Sequence, residues 1–196
     1  MNRIVGVVAV VPGIGSLLVG ISSIFSTSLD NVREYFATGD TVEMQTARSV
    51  LYNYRYIKIK YGKTVYDEDF DQWVQQEEIQ NHPILKVTSK KEIFAASELT
   101  LDFFQMWGLL QSKGFLPMWV FETASGYSII KLHQAVEDIL TEKRKTNSFY
   151  GQQFSLLCKR ITKKYKKAVR LCAEKEKHFI SQKLDAEYIQ MQTICK

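Results

Sequence analysis

The chain has 196 residues, 24% of them charged and 45% hydrophobic, with a formal net charge of +5. These proportions exclude wholesale disorder, and the length suits one domain with an appendage. The charge is uneven: residues 1–150 carry 15 basic and 17 acidic groups, but residues 151–196 carry 11 and 4. An anionic partner would therefore bind the C-terminal segment.

Ile4 to Phe25 is a run of 22 residues without a charge. About 20 apolar residues suffice to cross a bilayer core as a helix. Pro12 and Gly13 should kink it, which bilayer helices tolerate. Residues 1–27 are thus expected to form one transmembrane helix, followed by a helical domain over 28–196. A cleaved signal peptide, a re-entrant hairpin broken at Pro12 and a helix buried within the protein are the alternatives.

Gly6, Ala9, Gly13, Ser16, Gly20, Ser23 and Thr27 recur at alternating steps of three and four. At 100° per residue they fall on one narrow face, and small residues let a second membrane helix approach closely. The segment is therefore expected to pair with copies of itself or with another membrane helix. Arg3 on one flank and Asp30, Arg33 and Glu34 on the other favour export of the domain. The cysteines and lysines favour the cytoplasmic side, which is the placement expected here.

The chain has only thirteen Gly and Pro residues and five of them fall within positions 6–20, so the remainder is poor in breakers and long helices follow. Ser28 with Leu29 to Phe36 starts a short helix ending at Gly39. Asp40 and Glu43 have capping-box spacing for the next, in which Ala47, Val50, Leu51, Tyr54 and Ile57 keep helical register to about Gly62. Tyr54 to Tyr61 also alternates with period 2, leaving a local strand open. Asp67 to Gln80 is a third helix, stopped by Asn81-His82-Pro83.

Ser89 and Glu92 form a clearer capping box. It opens a helix carrying Ile93, Ala96, Leu99, Phe103, Met106 and Leu110, closed by Gly114. Pro117 suits the first turn of a helix running to about Lys145, and the last helix begins near Ser148. Such short connections join antiparallel neighbours, so the fold expected is all-α: a four- or five-helix bundle behind a membrane helix.

In the last helix Phe154, Leu157, Cys158, Ile161, Tyr165, Ala168 and Cys172 share one face. Lys159, Arg160, Lys163, Lys164, Lys166, Lys167 and Arg170 point the opposite way, with no acid between positions 159 and 170. A cationic stripe of this kind can meet anionic lipid heads or, less favoured here, a nucleic-acid backbone. The alternative is a solvated outer face. Cys158 and Cys172 would stand roughly 21 Å apart on one helix, too far to bridge.

Three stretches, ASELTLDFFQMWGLLQSKGFLPMWVFE, IIKLHQAVEDILTEKRKT and FYGQQFSLLCKRI, resemble a family of bacterial and prophage proteins of unknown function. Its members pair one N-terminal membrane helix with a small helical domain. The resemblance covers roughly positions 30–165 and rests on aromatic, glycine and arginine positions, with Ala47-Arg48 matching the start of the domain pattern. The Pro-broken apolar segment and the longer, more basic tail depart from that pattern. The resemblance implies no catalytic residue.

Other candidates reduce to structural roles. Asp67, Asp69, Asp71 and Glu78 have calcium-loop spacing, but Gln72 stands where the sharp turn needs glycine. His82, His133 and His178 lack zinc-ligand spacing. Arg48, Arg55 and Glu98 could meet inside the bundle, and Trp107 and Trp119 read as core. No cofactor or metal is expected. The function expected is that of a non-enzymatic, membrane-anchored interaction protein that contacts lipid and oligomerises. A membrane-disrupting effector and a nucleic-acid binder are the rival readings.

Overall fold

The computed structural model describes residues 26–82, 85, 89–122 and 124–178. The expected membrane segment, with its stripe from Gly6 to Ser23, lies outside them. Among the described residues no helix is long and apolar enough to cross a membrane.

Every element is helical. Helix α1 (26–39) leads through a two-residue turn into α2 (Val42–Tyr61). The cap of α2 is Thr41, whose hydroxyl accepts the Met44 N–H, and not the expected Asp40. Tyr54 to Tyr61 is helical, with Tyr54 and Ile57 fully buried, so the period-2 alternation there has no strand behind it. Gly62 ends α2 at φ 65°, a left-handed conformation that disfavours a side chain.

The expected third helix is two pieces, α3 (Phe70–Val74) and α4 (Glu77–Gln80). Phe70 and Val74 are a helical step apart, but Ile79 comes five residues later and would point away on a continuous helix. Extended backbone at Gln76 re-aims it, and all three are buried.

Helix α5 (Lys90–Ser112) starts at Ser89 as expected, the serine hydroxyl accepting the Glu92 N–H at 3.2 Å. It ends in a glycine turn in which Gly114 has φ 81° and Phe115 N–H bonds back to the Leu110 carbonyl. Ile93, Ala96 and Phe103 are buried as expected, but Ser97, Thr100, Phe104 and Trp107 are inside too, while Met106 is half-exposed. Apolar residues fall on more than one side of this helix, so its periodicity leaves the inward line undecided.

Pro117 precedes a 3-10 turn, Met118–Phe121, instead of opening a long helix. The expected helix to Lys145 is α6 (Ala124–Ala135) and α7 (Glu137–Arg144), offset at buried Val136. Helix α8 (Gln152–Lys164) is followed, after a bend at Tyr165, by α9 (166–178). The single long C-terminal helix expected from the stripe is therefore interrupted.

Helices α2, α5, α6 and α8 form the bundle. Leu101 and Phe104 of α5 meet Gly151 and Phe154 at the start of α8, so these two run parallel. Tyr52 and Lys58 of α2 bond Ser128 and Ala135 of α6, a second parallel pair. Ile129 and His133 of α6 meet Cys158 and Ser155 of α8 in antiparallel order. Helix α5 packs on α2 and α8 while α6 packs on the same two, so α5 and α6 face each other across the diagonal. The short link between them does not join neighbours, contrary to expectation. Its apolar residues Leu116, Val120 and Phe121 are buried as it crosses.

Aromatic rings fill the centre. Phe104 stacks on Phe154 at 4.9 Å, and Tyr35 meets Trp107 and Phe121 edge-on at 5.4 and 5.6 Å. Each such side chain contributes on the order of 1.5–3 kcal/mol by leaving water. Buried Tyr54 bridges the layers: its hydroxyl donates to Asp138, which also pairs with Lys58, and accepts the Val65 N–H at 3.0 Å. Burial, with the Asp138 bond adding to it, pushes the Tyr54 phenol far up, so it stays a donor.

Candidate functional site

The seven basic residues of the C-terminal stripe do not form one line. Arg160 is drawn inward and donates to the Gly108 carbonyl at 2.9 Å, and burial pushes its guanidinium down. Lys159 is exposed on α8, beside His133. Lys163, Lys164, Lys166 and Lys167 are exposed around the bend at Tyr165, and Arg170 pairs with Glu174 at 3.4 Å. The apolar side behaves as expected, with Phe154, Leu157, Cys158 and Ile161 buried in the bundle. Tyr165, Ala168 and Cys172 are only half-buried. Cys158 and Cys172 are both free thiols.

The bend is pinned by the Tyr165 hydroxyl, which donates to the Met118 carbonyl at 2.8 Å. That bond brings the lysine corner beside the 3-10 turn, where Trp119 is 52% exposed, and next to the preceding loop, where Phe115 is 50% exposed. Trp119 is thus not core, contrary to its sequence reading, whereas Trp107 is. The Phe115 carbonyl accepts the Asn31 side chain at 3.0 Å. Along α1, Asn31 meets Phe115, Tyr35 meets Trp107, and Gly39 lies against Phe103. Helix α1 therefore runs antiparallel to α5, and residue 26 lies at the Phe115 end with exposed Leu29. Four lysines, two exposed aromatic rings and the attachment point of residues 4–25 share one end of the bundle.

Helix α9 is clamped back on the bundle. Glu176 takes both Arg55 Nη atoms at 3.1 and 3.0 Å, the Tyr127 hydroxyl at 2.7 Å and Lys131 at 3.4 Å. Burial works to raise the Glu176 carboxyl, but the Tyr127 bond and the Arg55 and Lys131 charges outweigh it and hold it below its ordinary value. A depressed carboxyl stabilises the clamp above the ordinary carboxylate range and loses that contribution as pH falls through the lowered value. Amide hydrogen exchange in α9, corrected for intrinsic rate, is expected to accelerate as pH falls below the ordinary carboxylate range and through the lowered value. Glu176→Gln should remove most of that pH dependence and leave exchange fast throughout.

The remaining sequence candidates are structural. Asp67 accepts the Thr64 N–H, Asp69 pairs with Lys63 at 2.7 Å, and Asp71 accepts the Lys90 N–H. No group of three or more potential metal ligands occurs among the described residues. Arg48, Arg55 and Glu98 do not meet: Arg48 holds the Gly39 carbonyl, Arg55 holds Glu176, and Glu98 is exposed.

His133, which the sequence reading set aside as a metal ligand, comes within 2.8 Å of Ser155, and Arg144 donates to the same hydroxyl at 2.8 Å. Burial pushes the imidazole down, so it is neutral near pH 7. A hydroxyl already bonded to a guanidinium on a helix seam is a tie between α6, α7 and α8, not an activated nucleophile.

Comparison with protein-family models, with curated proteins and with solved structures returns no match.

Proposed function

We propose that this chain is a membrane-tethered, non-enzymatic interaction protein whose lysine-aromatic end lies against an anionic bilayer surface. What supports the reading is the convergence of Trp119, Phe115 and the Lys163–Lys167 corner on the end at which α1 begins. The uncharged run from Ile4 to Phe25 attaches there. Exposed aromatic rings sit favourably at headgroup depth, and each lysine near an anionic leaflet adds on the order of 1 kcal/mol. Those lysines also favour the cytoplasmic leaflet, in keeping with the positive-inside tendency. Self-association through Gly6, Ala9, Gly13, Ser16, Gly20 and Ser23 belongs to the same proposal.

Tryptophan depth tests it. The chain has three tryptophans, of which Trp107 is buried and Trp73 partly so. In vesicles of anionic lipid carrying brominated acyl chains, the full-length protein should show strong quenching that Trp119→Phe removes. Changing Lys163, Lys164, Lys166 and Lys167 to Gln should weaken it. Quenching that is unchanged in Trp119→Phe would reject the orientation. Complete release of the protein from membranes by alkaline carbonate would reject the tether.

A further inference from the structure

A cavity of about 540 Å³ opens between α1, α2 and α6. That volume lies in the range of small-molecule sites, which combine an apolar lining with a few placed polar groups. Here Tyr35, Phe36, Phe104, Ile129 and Leu132 supply the apolar wall.

The polar groups are unusual in being unspent. Asn53 is only 8% exposed and lines the cavity, yet its carboxamide has no hydrogen-bond partner among the described residues. Neither amide atom is sealed from solvent, so both face the open cavity, whereas Arg48 Nε beside it is buried without a partner. The carboxamide is thus open to a ligand there, one of the few placed polar groups such a site uses.

Arg48 stands nearby. One Nη donates to the Gly39 carbonyl, while the other faces Asp40 at 3.9 Å, beyond hydrogen-bond reach. Asp40 is largely solvated and offsets the guanidinium charge only weakly. The Tyr52 hydroxyl makes one long bond, 3.5 Å to the Ser128 carbonyl, and burial pushes its phenol up, so it remains protonated.

A guanidinium with free donors, an unpaired carboxamide and an apolar wall fit one ligand class best. We infer that this cavity binds a small organic monocarboxylate with an apolar body, its carboxylate on Arg48 and Asn53. The inference is independent of the membrane reading, since it uses neither residues 4–25 nor Trp119 and the lysines.

Calorimetric titration of the full chain in nanodiscs with naphthoate, set against empty nanodiscs and against the uncharged naphthalenemethanol, tests it. Naphthoate should bind saturably, and naphthalenemethanol on the order of tenfold more weakly, as expected for loss of a charge-assisted bond. Asn53→Leu should weaken naphthoate by a similar factor. Asp40→Asn should tighten binding by removing the competing carboxylate. Arg48→Gln should also weaken binding. Should losing the Gly39 contact unfold that variant, Asn53→Leu and Asp40→Asn carry the decision. No saturable heat, equal affinity for the alcohol, or unaltered affinity in a folded Asn53→Leu protein would each overturn the assignment.

Discussion

Trp107→Ala is expected to cost about 3–5 kcal/mol, the range for emptying a buried aromatic site. Trp107 is fully buried and touches Tyr35 of α1 and Phe103 of its own helix. Tyr35 in turn leans on Phe121 of the crossing link. The packing of α1 on α5 is thus weakened directly, and that of the link through Tyr35. At about 2–4 °C per kcal/mol for a domain of this size, the melting temperature should fall by roughly 6–20 °C. Trp107→Phe should be far milder, near 1 kcal/mol. The indole N–H has no acceptor in the fold, so its removal deletes no bond. Thermal melts of both variants by circular dichroism check the contrast; equal losses would place the energy in the N–H after all.

The second large effect is expected at Gly126, where α6 starts against the link and α8. A Cβ there would stand 2.3 Å from the Phe121 carbonyl oxygen and 2.9 Å from Ile161 Cγ2. A backbone carbonyl cannot swing aside as a flexible side chain does. Gly126→Ala should therefore destabilise by about 1–3 kcal/mol, even though alanine gains about 1 kcal/mol over glycine in helix propensity. Gly62 offers the opposite case: nothing lies within 4 Å of a Cβ, but φ is +65°. Gly62→Ala should cost about 1 kcal/mol from backbone strain alone. Combining Gly126→Ala with Ile161→Ala should be less than additive, because the second change vacates part of the clash. Chemical denaturation of the three variants and the double mutant measures this.

How far the fold could be read from the sequence depended on the range of the signal. Local chemistry was legible. Ser89 with Glu92, Gly62 and Gly114 mark helix ends where they occur. The inward stripe of α2 follows its spacing, and so does the first half of α8. Signals that depend on a partner helix were not legible. Thr100 and Ser97 are buried in α5 although polar, the serine hydroxyl returning its bond to the Ile93 carbonyl. A helical wheel turns such residues outward and Met106 inward. Gln75 and Gln76 carry no breaker signature, yet the need to bury Ile79 divides the helix there.

The candidate sites show the same division. The basic character of residues 159–170 is plain in the sequence, but Arg160 turns toward Gly108 because α5 offers a carbonyl there. The bend that gathers the lysines into a corner depends on Tyr165 reaching Met118, some 47 positions away. The cavity had no sequence signal. Arg48 and Asn53 come from α2, Ser128 from α6 and Phe104 from α5. Nothing about an arginine five residues before an asparagine marks either as unspent until their neighbours are in place.

The diagonal placement of α5 and α6 also bears on how the molecule assembles. Ile129 of α6 meets Cys158 of α8 across 29 positions, whereas Gln105 of α5 meets Gln153 of α8 across 48 and Tyr52 of α2 meets Ser128 of α6 across 76. Nearby segments collapse fastest, because closing a short loop loses little entropy. The α6–α8 pair should therefore form first and gather α5 and then α2, with the Leu116–Phe121 stretch drying only as α5 docks over it. Slow refolding phases would then trace to that crossing and not to any single helix.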